Sequence, residues 1–325
     1  MIINMHKKIT QLIMNKFINN HINAVLLKSF NLPSNSAIII LNGGIGNQIF
    51  QYYLGEELRN IYKKNVYFYD IRKSYIVKHN SYIENLFKIK LKKFNPNKIN
   101  SLLAHIFLSA LFLKFNKLFY KAFKFKLISN IFFDESFNFK NLTKKRGIEF
   151  YFGTWHSLIN KYKFLDKRKS LIFQTKFKLS NIYSSNEDFI ALHVRRGDYI
   201  SSRKTARFHG NLEKSYFIKA VRYIRKKFGE LPVLLFSDDY DWLNTNLKEV
   251  IPNSFVISSI STSAEEDLFY MTNAKYFILS NSTFSWFAAF LSKKENKFIV
   301  LPKYWYNKVK ISKDYIYKDW DYKII

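Results

Sequence analysis

The apolar residues of this chain fall into short unbroken runs separated by amphipathic stretches. Ala37-Ile38-Ile39-Ile40-Leu41 is wholly apolar and rich in β-branched residues, the pattern of a parallel strand buried on both faces. A glycine-rich turn, Asn42-Gly43-Gly44-Ile45-Gly46-Asn47, follows it. Helical spacing then runs from Gln48 to Lys64, and Val66-Tyr67-Phe68-Tyr69 predicts a second strand. From about residue 185 the alternation is regular. It predicts strands over 189–194, 232–236, 255–257 and 276–279, and a last strand over 298–301. Helices are predicted between them, over 213–227, 240–250, 265–273 and 282–293. Strands alternating with helices predict an α/β fold whose parallel sheets are covered on both faces. Ligands of such sheets bind beyond the carboxyl ends of the strands.

Residues 75–145 break this rhythm. Within them Lys114, Lys117, Lys121 and Lys124 share one side of a helical pattern, and Phe112, Phe115, Leu118, Phe119 and Phe123 take the other. No acidic residue occurs from Leu111 to Lys126. Two readings stay open: a surface helix packed on the N-terminal domain, or a helix lying on a membrane surface. The most apolar run, Leu102 to Leu113, is about a dozen residues, short of the roughly 20 that span a bilayer. Residues 1–30 are amphipathic and do not read as a secretory signal. The expected location is cytoplasmic, with peripheral contact at the inner membrane face.

A length of 325 residues fits two medium domains better than one large one. The absence of cysteine excludes disulfides, thiolate metal sites and a cysteine nucleophile. The formal net charge is +29, and residues 1–150 hold 24 of the 53 basic and 7 of the 24 acidic side chains, +17 of that total. The charge therefore exceeds what one phosphate pocket explains. It favours polyanions, anionic lipid and nucleotide phosphates, but no nucleic-acid recognition module is present.

Four clusters at predicted strand ends carry candidate chemistry. His193-Val194-Arg195-Arg196-Gly197-Asp198-Tyr199 offers two guanidiniums, whose planar donors match phosphate oxygens. Fixed cations can stabilise charge on a leaving pyrophosphate; the alternative is a surface ion pair. Ser280-Asn281-Ser282-Thr283-Phe284-Ser285-Trp286 precedes an apolar helix, as an anion site or as an ordinary N-cap. The Gly43–Gln48 turn lacks dinucleotide-fingerprint spacing, but its glycines allow close approach of a ligand, and Asn47 and Gln48 can hydrogen-bond a sugar. In Phe236-Ser237-Asp238-Asp239-Tyr240-Asp241-Trp242, the Asp239-Tyr240-Asp241 triplet can hold a divalent ion, contact the nucleotide or cap a helix. His209-Gly210 follows the arginine cluster closely enough to reach the same site, although an isolated histidine is often structural.

Taken together and in order, Gly43 to Tyr52, His193 to Tyr199, Phe236 to Asp239 and Asn281 to Phe287 resemble the α-1,2-fucosyltransferase family, glycosyltransferase family 11. Gly153-Thr154-Trp155-His156-Ser157 resembles that family's aromatic-Gln-Ser segment, with His156 in place of Gln, and Trp286-Phe287 stands where the family has Trp-Trp. The likeness runs from about residue 36 to 305.

The resemblance implies a GT-B-like architecture, two Rossmann-like domains facing across a cleft. The domains are then a 1–35 extension, a 36–180 acceptor-side α/β domain with the basic helical insertion, and a 181–325 donor-binding α/β domain. It implies GDP-fucose as donor, a galactose-terminated oligosaccharide as acceptor, inversion at the anomeric carbon, and no metal or other cofactor. Arg195 would contact the β-phosphate and stabilise leaving GDP. His193, Arg196, Asp238, Asn281, Ser282, Thr283 and Phe284 would bind the donor. Asn47, Gln48 and Trp155 would lie at the acceptor cleft. Asp198 and His209 are the candidates for the base, with Asp198 equally able to brace the arginines.

Overall fold

The structure is a computed structural model. It describes residues 32–70, 82–94, 131–134, 139, 147–162, 171–174, 187–258 and 263–325. The basic amphipathic pattern of 111–126, the apolar run of 102–113 and nearly all of the 1–35 extension lie outside the described residues.

Two parallel sheets organise the chain. The first contains β1 (Ser36–Leu41), β2 (Asn65–Asp70), β3 (Ile131–Phe133) and β4 (Ile148–Phe152), in the order β2-β1-β4-β3. All its pairings are parallel. Every residue of β1 is buried, as its unbroken apolar run demands. Helix α1 (Ile45–Asn60) links β1 to β2, and α2 (Tyr82–Leu86) follows. Under β1, the Glu149 carboxylate of β4 is buried but paired, accepting from Lys64 Nζ and Tyr151 Oη at 2.7 Å each.

The second sheet contains β5 (Ile190–Val194), β6 (Val233–Ser237), β7 (Ser254–Val256), β8 (Tyr276–Ile278) and β9 (Phe298–Leu301). Between them run the short helices α3 (Gly197–Ser201) and α4 (Arg203–His209), then α5 (Lys214–Phe228), α6 (Tyr240–Leu243), α7 (Ala264–Met271) and α8 (Thr283–Leu291). The helix predicted over 240–250 is divided: α6 gives way to a π-helical turn, Asn244–Lys248. Residues 298–301 are not the last strand. The antiparallel pair β10 (Tyr304–Tyr306) and β11 (Val309–Lys310) follows, and β12 (Asp321–Ile324) returns to pair in parallel with β9. All four residues of β12 are exposed, so this edge strand lacks the apolar run that marks the others.

The order of the second sheet is β12-β9-β8-β5-β6-β7. From β5 the chain steps one way to β6 and β7, then crosses to the other side of β5 for β8 and β9. The order therefore reverses between β5 and β8, which opens a crevice at their carboxyl ends.

Helices α1 and α8 join the two halves. Phe50 of α1 packs against Trp286 and Phe287 at centroid distances of 5.0 and 4.2 Å, and Tyr53 meets Phe290 at 6.0 Å. One apolar cluster therefore runs from β1 through α1 and α8 to β9. Gly46 makes the approach possible, since a Cβ there would lie 2.5 Å from the Thr283 carbonyl carbon. Beside it, Thr283 Oγ1 donates to Asn47 Oδ1 at 2.9 Å. The C-terminal segment also crosses back: Asn160 Nδ2 donates to the Ile316 carbonyl at 2.6 Å and Asn160 Oδ1 accepts from Lys318 N.

Replacing Gly46 with alanine forces backbone apart at this junction. Urea denaturation of Gly46→Ala is expected to show a loss of about 1–3 kcal/mol, against a near-neutral Gly44→Ala control, whose added Cβ meets nothing within 4 Å.

Candidate functional site

The site is built on three adjacent strand ends. β5 pairs with β6 on one side, up to Val194↔Ser237, and with β8 on the other, up to Leu192↔Ile278. The loops that leave these ends are the Arg195–Gly197, Asp238–Asp239 and Ser280–Ser282 segments, so the three clusters predicted separately meet at the crevice.

Asp238 organises the arginines. Its Oδ2 pairs with Arg195 Nη1 at 2.8 Å, and its Oδ1 accepts the Arg196 backbone N–H at 2.8 Å. Gly197 leaves room beside it: a Cβ there would lie 2.5 Å from Asp238 Oδ2, so the carboxylate would have to shift. Asp198 pairs with the other nitrogen, Arg195 Nη2, at 2.6 Å. Burial opposes the Arg195 charge, but Asp238 and Asp198 outweigh it and raise the guanidinium pKa. Arg195 is thus a fixed cation, with its side chain still 34% exposed. Arg196 is held by Asp239 at 2.9 Å and stacks over Trp242 at 4.5 Å.

Asp239 also caps α6, its Oδ1 accepting from Trp242 N at 3.1 Å. Of the readings open for Asp239-Tyr240-Asp241, Asp239 therefore fulfils the cap, with an arginine on its second oxygen. Among the described residues no group of three or more His, Asp or Glu side chains is arranged to hold a metal ion.

On the β8 side, Ser282 is the N-cap of α8, accepting from Phe284 N at 3.3 Å. The cap leaves the start of a nine-residue helix at the crevice, where its dipole favours an anion. Thr283 and Phe284 are partly exposed there. Asn281 is buried and acts as a tie: its Nδ2 lies 3.0–3.3 Å from the carbonyls of His209, Gly210 and Trp305, and its own carbonyl accepts from Tyr199 Oη at 3.0 Å. His193 is buried, with Nδ1 2.7 Å from Ser280 Oγ and its ring 5.2 Å from that of Phe284. Burial holds its pKa down to about 3, although Asp238 pulls it up. His209 stacks on Tyr199 at 4.5 Å, and burial lowers its pKa as well.

The cleft candidates separate. Asn47 keeps exposed surface beside Thr283. Gln48 and Trp155 are fully buried and offer a sugar no surface. Gln48 Nε2 closes the glycine turn by donating to the Gly43 carbonyl at 3.1 Å. Trp155 takes a left-handed backbone conformation, φ 64°, and its N–H donates to Asp134 Oδ2 at 2.6 Å. Two supports were missed in the sequence. Asp134 also accepts from Thr154 and Ser157, and Gln51 ties the Asn42 loop to the Gly153 carbonyl. Both act over long sequence separations, which no local spacing reveals.

His156, which stands where the resembling family has glutamine, is fully buried. It stacks on Tyr315 at 4.3 Å and touches Phe50, Trp286 and Trp305. Burial lowers its pKa to about 3.

Two parallel sheets joined along α1 and α8, with a cationic crevice at the switch point of the second, define a glycosyltransferase of GT-B-like fold. The chain belongs to glycosyl transferase family 11, whose profile matches residues 36–323. It is 29% identical over 292 residues to an alpha-1,2-colitosyltransferase of Escherichia coli, covering 84% of this chain and 93% of that one. It is 36% identical over 137 residues to the O-antigen biosynthesis glycosyltransferase WbnK of Escherichia coli, covering 41% of this chain and 45% of the relative. Among solved structures it is similar in fold to the fucosyltransferase NodZ from Bradyrhizobium, with TM-score 0.53, 12% identity and coverage of 79% and 93%. FUT1 of Arabidopsis thaliana, solved with GDP, matches with TM-score 0.51 and 10% identity over 87% and 77%.

The buried neutral histidines give a pH signature. Their folded pKa values lie below the unfolded value of 6.5, so the unfolded chain binds more protons between about pH 3 and 6.5. Stability is expected to be full above that window and to fall as pH drops through it. In His156→Gln one proton leaves this balance, and the slope should lessen by about 1.4 kcal/mol per pH unit. Urea midpoints measured across the window check this.

Proposed function

We propose that this chain is an inverting transferase that moves L-fucose from GDP-fucose to the 2-hydroxyl of a terminal galactose in a surface glycan. The observation that carries the reading is the fixed Arg195 guanidinium at the β5 carboxyl end, braced by two carboxylates and facing the crevice that α8 opens onto. In the proposed step the acceptor oxygen attacks the anomeric carbon as the carbon–oxygen bond to the β-phosphate breaks. The electron pair leaves with GDP, and the acceptor proton passes to a base. Arg195 and the α8 N-terminus stabilise the charge that develops on the diphosphate. They are set in place before the reaction, so no reorganisation is needed as the bond breaks.

His209 is the better candidate for the base. Burial lowers its pKa, so the ring is neutral near pH 7, and the nearby Asp198 carboxylate opposes that shift by favouring the protonated ring. Asp198 is occupied by Arg195 and reads as the brace. The similarity to an alpha-1,2-colitosyltransferase supports the 1,2 linkage, and it keeps colitose in view as a second sugar. The proposal also includes work at the cytoplasmic face of a membrane. Among the described residues no helix is long and apolar enough to cross one.

Arg195→Ala is expected to lower transfer from GDP-fucose to lactose by about 100-fold or more, while its melting temperature stays near that of the wild type. Turnover like the wild type's would overturn the reading, and product formed in EDTA would place the charge stabilisation on the protein. In His209→Gln, turnover should fall while GDP still raises the melting temperature; unchanged turnover would return the base to Asp198.

A further inference from the structure

Helix α4 and the β10–β11 hairpin form one surface. Asn307, at the hairpin tip, donates from its backbone N to the Phe208 carbonyl at 3.0 Å and from Nδ2 to the Arg207 carbonyl at 3.2 Å. The Phe208 and Tyr306 rings meet at 4.8 Å. The two segments reach the surface with one kind of charge. Arg203, Lys204 and Arg207 on the helix and Lys303, Lys308 and Lys310 on the hairpin are all exposed. No acidic residue occurs over 199–212 or over 303–313. Large apolar side chains stand among these cations: Phe208 is 57% exposed, Val309 55% and Tyr304 41%.

None of these residues is used by the catalytic reading, and folding alone gives no reason to expose them. Ammonium and guanidinium groups interleaved with exposed apolar side chains match an anionic lipid surface, where the cations meet headgroup phosphates and the apolar tips enter the acyl boundary. A nucleic acid could stack bases on Phe208 and Tyr304 but would leave the aliphatic Val309 without a partner. We propose that this face docks the enzyme on anionic phospholipid. The surface is also fixed to the crevice, because Asn281 Nδ2 bonds the carbonyls of His209, at the end of α4, and Trp305, in β10. Docking here would hold the mouth of the donor crevice next to the membrane. The inference stands on the described surface and is independent of the donor sugar.

The test is co-sedimentation of the full chain with vesicles of phosphatidylcholine alone, and of phosphatidylcholine mixed with phosphatidylglycerol. A charge-reversed variant, R203E/K303E/K310E, is compared with a control of equal charge change on the exposed side of α5, K219E/R222E/K226E. A rise in melting temperature with GDP confirms that each variant is folded. The wild type should bind only the anionic vesicles. The face variant should lose about tenfold or more in partition, the control less than about twofold, and Val309→Ser should weaken binding without any change of charge. Equal losses in face variant and control would overturn the proposal and assign binding to net charge alone. So would unchanged binding in the face variant, or an absence of binding by the wild type. RNA that binds the face better than the vesicles, with Val309→Ser silent, would reassign it to nucleic acid.

Discussion

Asp238 leaves the end of β6 and reaches under the loop that leaves β5, and the geometry of the crevice depends on that reach. One oxygen takes the Arg196 backbone and the other takes the Arg195 side chain, with Gly197 giving up its Cβ so that the carboxylate fits. Two arginines in sequence would otherwise repel each other and turn to solvent. Here each is neutralised on its inner side, Arg195 by Asp238 and Asp198, Arg196 by Asp239, while Arg195 stays partly exposed. A charge held this way is already oriented when a diphosphate arrives, and that is the condition under which electrostatic stabilisation lowers a barrier.

The second constraint is the contact of α1 with α8. It brings the glycine turn of the first sheet against the helix start of the second, with Gly46 at the closest point and the Thr283–Asn47 hydrogen bond beside it. The two arginines and the start of α8 belong to the second half. The first half supplies Asn47 at the edge and, through Gln51, Asp134 and the buried Trp155, fixes the loops around it. His156 belongs to the packed layer beneath the junction, so its difference from the family pattern is met by aromatic stacking, away from solvent.

Much of this was legible in the residues. Strands buried on both faces announce themselves as unbroken apolar runs, and every strand of that kind from β1 to β9 in the regular stretches was predicted within a residue or two. β3, β4, β10, β11 and β12 escaped, and two of them show the physical reason plainly. β4 carries a buried Glu149 whose partner Lys64 lies far off in sequence, and β12 is an exposed edge. At the site, residue type pointed to phosphate chemistry, and strand ends placed the clusters together. Burial was not legible. Gln48 read as a ligand contact because its amide suits a sugar, and Trp155 and Asn281 through the family resemblance, yet the amides serve the backbone and the indole lies closed in the core. Asp198 and Asp239 were equally ambiguous until their arginine partners were located.

The central claim is that the crevice between β5 and β8 holds a nucleoside diphosphate, with Arg195 on its terminal phosphate. Calorimetric titration of the wild type and Arg195→Ala with GDP and with GMP tests it most directly. The account predicts that the variant loses about tenfold or more in GDP affinity while GMP affinity stays nearly constant. GDP affinity that survives the substitution, or an equal loss for both nucleotides, would contradict it.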